Sequence, residues 1–162
     1  MTVIRNILFY IAFYSASALL VTAALVALLF GGRGLVGISH AWARSHRWCA
    51  HYLLGIIIRE EGSRIDGPAL YAIKHESFFE AIETPNLFNR PAIFAKAELF
   101  RIPGWGRVGR AYGLVPVERT EGAKTLRKML GEAREMIAAG RPLVIFPEGT
   151  RVPHGGPAPL QA

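Results

Sequence analysis

The stretch Ala72-Ile-Lys-His-Glu-Ser-Phe-Phe-Glu80 closes a short apolar run with one histidine and one carboxylate. Ala69-Leu-Tyr-Ala-Ile73, bounded upstream by Gly67-Pro68, is too short to nucleate a helix and predicts a buried strand. His75 then falls at the carboxyl end of that strand, the edge at which open α/β sheets bind their ligands. Residues five apart on a 3.6-residue turn are rotated by roughly 140°. His75 and Glu80 therefore cannot face each other from within one helix. The spacing puts His75 in the turn before a helix and Glu80 inside the helix's first turn, and the fold class that follows is α/β.

A neutral imidazole in that position can take a proton from an attacking hydroxyl when a carboxylate fixes its tautomer and steadies the imidazolium. His75 is thus a candidate general base and Glu80 a candidate orienter. Ser77-Phe-Phe-Glu80 also fits the Ser-x-x-Glu capping box, in which Glu80 satisfies a backbone N–H at the helix start. Both readings of Glu80 stay open. Ser77 lacks the Gly-x-Ser-x-Gly elbow of a hydrolase nucleophile.

Downstream, Pro91-Ala-Ile-Phe-Ala95 is a second apolar run, left through Lys96-Ala-Glu-Leu99. Tyr112-Gly-Leu-Val-Pro-Val-Glu-Arg119 predicts a brief strand that Pro116 confines to a short or edge position, with Arg119 at its exit. From Ala123 to Ala139, Leu126, Met129, Leu130, Ala133, Met136 and Ile137 recur at helical spacing, and Gly140 suits the residue after the helix. Arg127, Lys128 and Arg134 read as that helix's solvated face. Pro142-Leu-Val-Ile-Phe146 reads as a buried strand delivering Pro147-Glu-Gly-Thr-Arg151. There Gly149 permits close backbone approach, Thr150 offers a hydroxyl and Arg151 a planar fork suited to phosphate. Two strand-end arginines, Arg119 and Arg151, point to an anion.

Upstream, Leu54–Arg59 centres on three isoleucines and predicts a further strand. From Ile7 to Phe30 no residue is charged, a run long enough to cross the roughly 30 Å hydrocarbon layer as a helix. It is longer than the apolar region of a secretory signal and is followed by Gly31-Gly-Arg-Gly34, so a retained membrane anchor is expected. Arg33, Arg44 and Arg47 on its carboxyl side favour the main domain in the cytoplasm. Trp42, Trp48 and Tyr52 with those cations make Leu35–Ile58 an interfacial element, and the anchor either spans or enters one leaflet.

The chain's 162 residues suffice for one domain with a core. A hydrophobic fraction of 51% and a mean hydropathy of +0.26 reflect the apolar start. Between Arg90 and Lys128 stand nine Lys or Arg against three Glu, most of the net +7. Such a patch favours an anionic partner. No nucleic-acid motif accompanies it, so anionic lipid or a phosphorylated substrate is the expected partner. His40, His46, Cys49 and His51 show no ligand spacing, and no metal is expected. Cys49, the single cysteine, cannot form an internal disulfide. Gly104-Trp-Gly-Arg-Val-Gly109 matches the dinucleotide glycine pattern but follows Ile102-Pro103, so it reads as a surface loop with Trp105 toward lipid.

Together these blocks resemble the glycerophospholipid acyltransferases, specifically the bacterial 1-acyl-sn-glycerol-3-phosphate acyltransferases. His75 with Glu80 resembles the family's His-x4-Asp motif, Gly113–Arg119 its second block, and Phe146-Pro-Glu-Gly-Thr-Arg151 its third block unchanged; Lys96-Ala-Glu-Leu99 is similar to another family segment. The resemblance implies a membrane-bound α/β enzyme that moves a fatty acyl group from acyl-CoA or acyl carrier protein to the sn-2 hydroxyl of lysophosphatidic acid, giving phosphatidic acid for phospholipid biosynthesis. It implies no metal and no organic cofactor, and a site at the cytoplasmic side of the inner membrane. Carried over, His75 is the general base and Glu80 its orienter. Arg119, Gly149, Thr150 and Arg151 form the phosphate site with Lys96 as a further contact, and Glu148 holds an arginine or a substrate hydroxyl. Residues 1–58 would be anchor and interfacial segment, and 59–162 the acyltransferase domain. Two departures stand. Glu replaces the usual Asp at position 80. The chain also reaches Ala162 without the fourth block, so the domain is expected to be incomplete. A non-catalytic membrane module, or an acyltransferase acting on another lysophospholipid or on glycerol 3-phosphate, are the alternatives.

Overall fold

The computed structural model describes residues 2–63, 65, 67–118 and 122–156. Arg119 and the final residues 157–162 lie outside the described residues. Four short strands, β1 (Leu70–Ala72), β2 (Ala92–Lys96), β3 (Val115–Val117) and β4 (Leu143–Ile145), form one parallel sheet in the order β1-β4-β2-β3. The strands are short apolar runs, as expected, but β1, expected to be buried, lies at an edge with Leu70 58% exposed, and Pro116 sits on the other edge strand where its missing N–H is tolerated. The crossovers run through α3 (Phe79–Leu87), α4 (Trp105–Tyr112) and α5 (Gly122–Ala138). Right-handed connections along that strand order place α3 and α4 on one face of the sheet and α5 on the other.

Strand alternation fixes what each face carries. Ala92, Val115 and Leu143 pack with Ala133 of α5, joined by Phe94, Met129, Met136 and Ile137. Val144 and Ile93 are register partners turned to the opposite face and are buried there. Of the periodic residues expected on α5, Leu126 and Leu130 are not part of this core and remain about half exposed. The helix ends as Gly140 predicts. Gly140 has φ 72°, its N–H bonds the Ile137 carbonyl, and the Arg141 N–H reaches back to Met136, which completes a Schellman motif.

Arg141 is the principal clip at the sheet's amino-terminal edge. It is buried at 7% exposure, and its guanidinium donates to the carbonyls of Arg90 at 2.8 Å, Pro91 at 3.1 Å and Tyr112 at 3.0 Å. Those carbonyls belong to the entries of β2 and β3, so one side chain ties the starts of three strands. The positive φ of Gly113 (94°) is matched by lack of room: a Cβ there would stand 1.9 Å from Arg141 Nη1.

Ahead of the sheet, α1 (Thr2–Leu29) and α2 (Leu35–Cys49) run as an antiparallel hairpin. Trp42 Nε1 donates to Ser17 Oγ at 2.9 Å, Phe13 packs on His46, and Arg5 Nε bonds the Leu53 carbonyl at 2.6 Å. At the far end Leu25 of α1 lies against Gly104. The hairpin is joined to α3 by Arg47, which pairs with the buried Glu83; Asn86 bonds both Glu83 and the Ala43 carbonyl. The outer face of α1 is bare, with Ile4, Ile7, Leu8, Ile11 and Leu19 all exposed.

Two expectations fail. Leu54–Arg59 is not a strand. The helical path of α2 continues as a π-helical turn over Ala50–Leu54, closed by Gly55 at φ 76°, and the Ile56 N–H bonds back to Ala50. A run of three isoleucines has no period of its own, and here its first N–H serves the end of a helix. Nor is Gly104–Gly109 a surface loop with Trp105 toward lipid. It opens α4, Trp105 packs edge-on to Phe100, and a Cβ on Gly106 would meet the Phe100 carbonyl oxygen at 2.0 Å. Those glycines permit close helix approach.

Arg141→Ala is expected to destabilise the fold by about 2–4 kcal/mol through the carbonyls left bare. Gly113→Ala should cost about 1–3 kcal/mol in the native chain and less in the Arg141→Ala background, because the clashing guanidinium is then gone. Denaturant unfolding of the native chain, the two single variants and the double variant in detergent checks both; additive costs would contradict the contact.

Candidate active site

All four parallel strands present their carboxyl ends at one rim, and each sequence block leaves the sheet there. His75 follows β1, Lys96 ends β2, β3 ends at Val117 two residues before Arg119, and the loop Phe146–Arg151 follows β4. Because β4 is the neighbour of β1, the first and third blocks meet.

Glu80 lies in the first turn of α3, as the spacing requires, and His75 lies in the turn before it. His75 Nδ1 and Glu80 Oε1 are 2.7 Å apart. The same Oε1 accepts the Ser77 N–H at 2.7 Å, and Oε2 accepts the Ser77 hydroxyl at 2.9 Å. Ser77 Oγ in turn accepts the Phe79 N–H at 3.0 Å. The capping bonds and the histidine bond therefore coexist on one carboxylate. Ser77 also has its hydroxyl proton committed to Glu80, which removes it further from a nucleophile's part.

Burial alone would raise the Glu80 carboxyl, but the Ser77 N–H, its own backbone N–H, His75 and the Ser77 hydroxyl outweigh that and hold it below the ordinary carboxylate range. An ionised carboxylate can only accept, so Nδ1 carries the proton and Nε2 is left with its lone pair. No described residue hydrogen-bonds Nε2.

The loop after β4 is stitched to His75 from both sides. The Val152 N–H donates to the His75 carbonyl at 2.8 Å, and the His75 N–H lies 3.3 Å from Glu148 Oε2. The Phe146 ring lies 4.4 Å from the imidazole. Gly149 has φ 62° and its N–H closes a turn on the Phe146 carbonyl. Thr150 and Arg151 are exposed beyond it. The buried Glu148 thus holds the backbone of His75, a part that sequence reasoning did not anticipate; no arginine partners it among the described residues. Lys96 is exposed and lies 3.4 Å from Glu98.

Phe78 was missed entirely. It is 61% exposed, and the Arg151 guanidinium carbon sits 4.2 Å from its ring centre. An aromatic beside a capping serine gives no sequence signal, because helix entries carry such residues for packing as often as for function. Of the residues weighed against a metal, His46 lies among Phe9, Phe13 and Phe79, Cys49 is buried with its thiol raised by desolvation, and His51 packs on Tyr52. They are dispersed along the helix without converging.

A family model described as acyltransferase matches residues 55–162. A 1-acyl-sn-glycerol-3-phosphate acyltransferase of Helicobacter pylori is 33% identical over 108 residues, 64% of this chain and 44% of that protein. One of the same name from Pseudomonas aeruginosa is 26% identical over 116 residues, 70% of this chain and 45% of that protein. A third, from Chlamydomonas reinhardtii, is 31% identical over 116 residues, 34% of its own length. The chain spans less than half the length of these relatives, and no solved structure matches it. The match over two thirds of the sequence, with His75, Glu80 and the Phe146–Arg151 loop at one rim of the sheet, makes the chain a member of the acyltransferase family.

Proposed function

We propose that the chain transfers a fatty acyl group from acyl-CoA or acyl carrier protein to the sn-2 hydroxyl of 1-acyl-sn-glycerol 3-phosphate, giving phosphatidic acid. The observation that carries this reading is the Nδ1 contact between His75 and Glu80 beside the third-block loop. Nε2 of His75 takes the proton of the acceptor hydroxyl as its oxygen attacks the thioester carbonyl. The thiolate leaves and is protonated, and Glu80 steadies the imidazolium between the two transfers. No acyl-enzyme is formed. Arg151, with the Gly149 turn and the Thr150 hydroxyl, takes the lysolipid phosphate, and Lys96, at the end of the neighbouring β2, and Arg119 contribute further contacts. Glu148 supports His75 through the backbone. Neither a metal nor an organic cofactor enters these steps.

The chain is read as an anchor over 1–58 and a catalytic domain over 59–162, with the anchor lying in one leaflet on the cytoplasmic face of the inner membrane. Support comes from what flanks α1, which is α2 and the turn after it from Ser17 to Arg5 and Gly104 at Leu25, together about 30 Å of helix and therefore about the whole hydrocarbon thickness. An upright α1 would carry its partner α2, with Arg44 and Arg47, into the hydrocarbon layer. Lying flat, it offers its exposed isoleucines to the acyl chains, and the basic stretch from Arg90 to Lys128 suits an anionic leaflet.

His75→Ala is expected to lower kcat for lysophosphatidic acid by about 10²–10⁴-fold or more without releasing the chain from vesicles. Retained turnover would remove the general base. Glu80→Gln should cost about 10²-fold. Because its folded pKa is depressed, Glu80 stabilises the fold above the ordinary carboxylate range and loses that contribution as pH falls through the depressed value. The Tm gap between native chain and Glu80→Gln is thus expected to hold from about pH 8 to 5 and close below about pH 4.3. Ile4→Asp with Ile11→Asp should abolish flotation with anionic liposomes at unchanged Tm, and bimane labels at positions 4 and 19 should report one common shallow depth. A label at mid-bilayer would favour a span.

A further inference from the structure

Arg151 has no carboxylate partner among the described residues, and Glu148, the nearest acid in its own loop, is taken by the His75 N–H. Its guanidinium instead sits over Phe78, 4.2 Å from the ring centre. Phe78 is a large aromatic left 61% exposed, between Ser77, which is bonded to Glu80, and Phe79, which packs on His46. Its backbone is therefore fixed on both sides while its ring stands outward. The loop bearing Arg151 is tied to the same turn through the bond between Val152 and His75.

We propose that Phe78 is a positioning residue whose ring serves as the platform that aims the Arg151 guanidinium at the substrate phosphate. This rests on the reading of Arg151 as a phosphate ligand. The chemistry favours an aromatic over a carboxylate in that place. A carboxylate would occupy the N–H donors that phosphate needs and would add a negative charge beside it. A ring face attracts the cation through its quadrupole and leaves the in-plane donors free. It also restrains a long side chain in the absence of ligand, so less freedom is lost when phosphate binds.

Equilibrium binding to the full chain in detergent micelles tests this without requiring turnover. Lysophosphatidic acid is the probe, and a monoacylglycerol of the same tail, which lacks the phosphate, is the control. Phe78→Leu is expected to weaken lysophosphatidic acid binding about tenfold, within the roughly 2–30-fold range of a cation–π contact. Phe78→Tyr should stay within about twofold of the native chain, the monoacylglycerol should be indifferent to either change, and Phe78→Leu should add nothing in an Arg151→Gln background. Loss of monoacylglycerol binding in Phe78→Leu, or an equal loss with Arg151 already removed, would make Phe78 a tail or membrane contact and overturn the proposal. If Arg151→Gln weakens binding and Phe78→Leu does not, the platform fails while the phosphate reading stands. If Arg151→Gln is itself without effect, both fail.

Discussion

A single carboxylate organises the rim on which the proposed chemistry depends. Glu80 accepts from the His75 ring, from the Ser77 N–H and from the Ser77 hydroxyl, so the start of α3, the turn after β1 and the histidine tautomer are set by the same two oxygens. Four polar interactions holding the charge offset its partial burial. The Glu arm, one methylene longer than an Asp, reaches both the ring and the backbone. Structural and catalytic readings of a capping residue are usually weighed as rivals, and here the geometry lets one group serve both.

At the other end of the strands a guanidinium does the complementary work. Arg141 is buried, bonded to backbone carbonyls and packed against a glycine that has no room for a side chain. Arg151 is exposed and rests on a ring face. Two chemically identical side chains, ten residues apart on either side of β4, thus differ in function by what surrounds them. Carbonyls that saturate the donors make a structural clip, and an aromatic that leaves the donors open makes a candidate anion site. The short sheet is held at its amino edge by Arg141 and carries its candidate site at the opposite edge.

Much of the rim was legible because its signals are local. A five-residue spacing excluded a shared helix for His75 and Glu80, and the apolar runs ending at Ile73, Ala95 and Phe146 are strands whose exits carry the polar residues. What escaped was set by partners distant in sequence. Nothing around Arg141 announces that the carbonyls of Arg90 and Tyr112 will converge on it, and nothing in the sequence pairs Glu83 with Arg47, 36 residues away. The isoleucine run at 56–58 misled because β propensity without a neighbouring strand decides nothing. The glycines of α4 misled because glycines of a surface loop and glycines spaced for helix packing look alike until Phe100 is in place.

The claim most exposed to direct test is the protonation geometry of one imidazole. In the chain labelled with ¹⁵N-histidine, with His75 assigned by its loss in His75→Gln, long-range ¹H–¹⁵N correlation reports which ring nitrogen carries the proton in the neutral form. A ring bonded to Glu80 as described is expected to show the Nδ1–H tautomer with Nε2 free, and to lose that preference in Glu80→Gln. An Nε2–H tautomer in the native chain would leave no lone pair for the acceptor hydroxyl and would contradict the account.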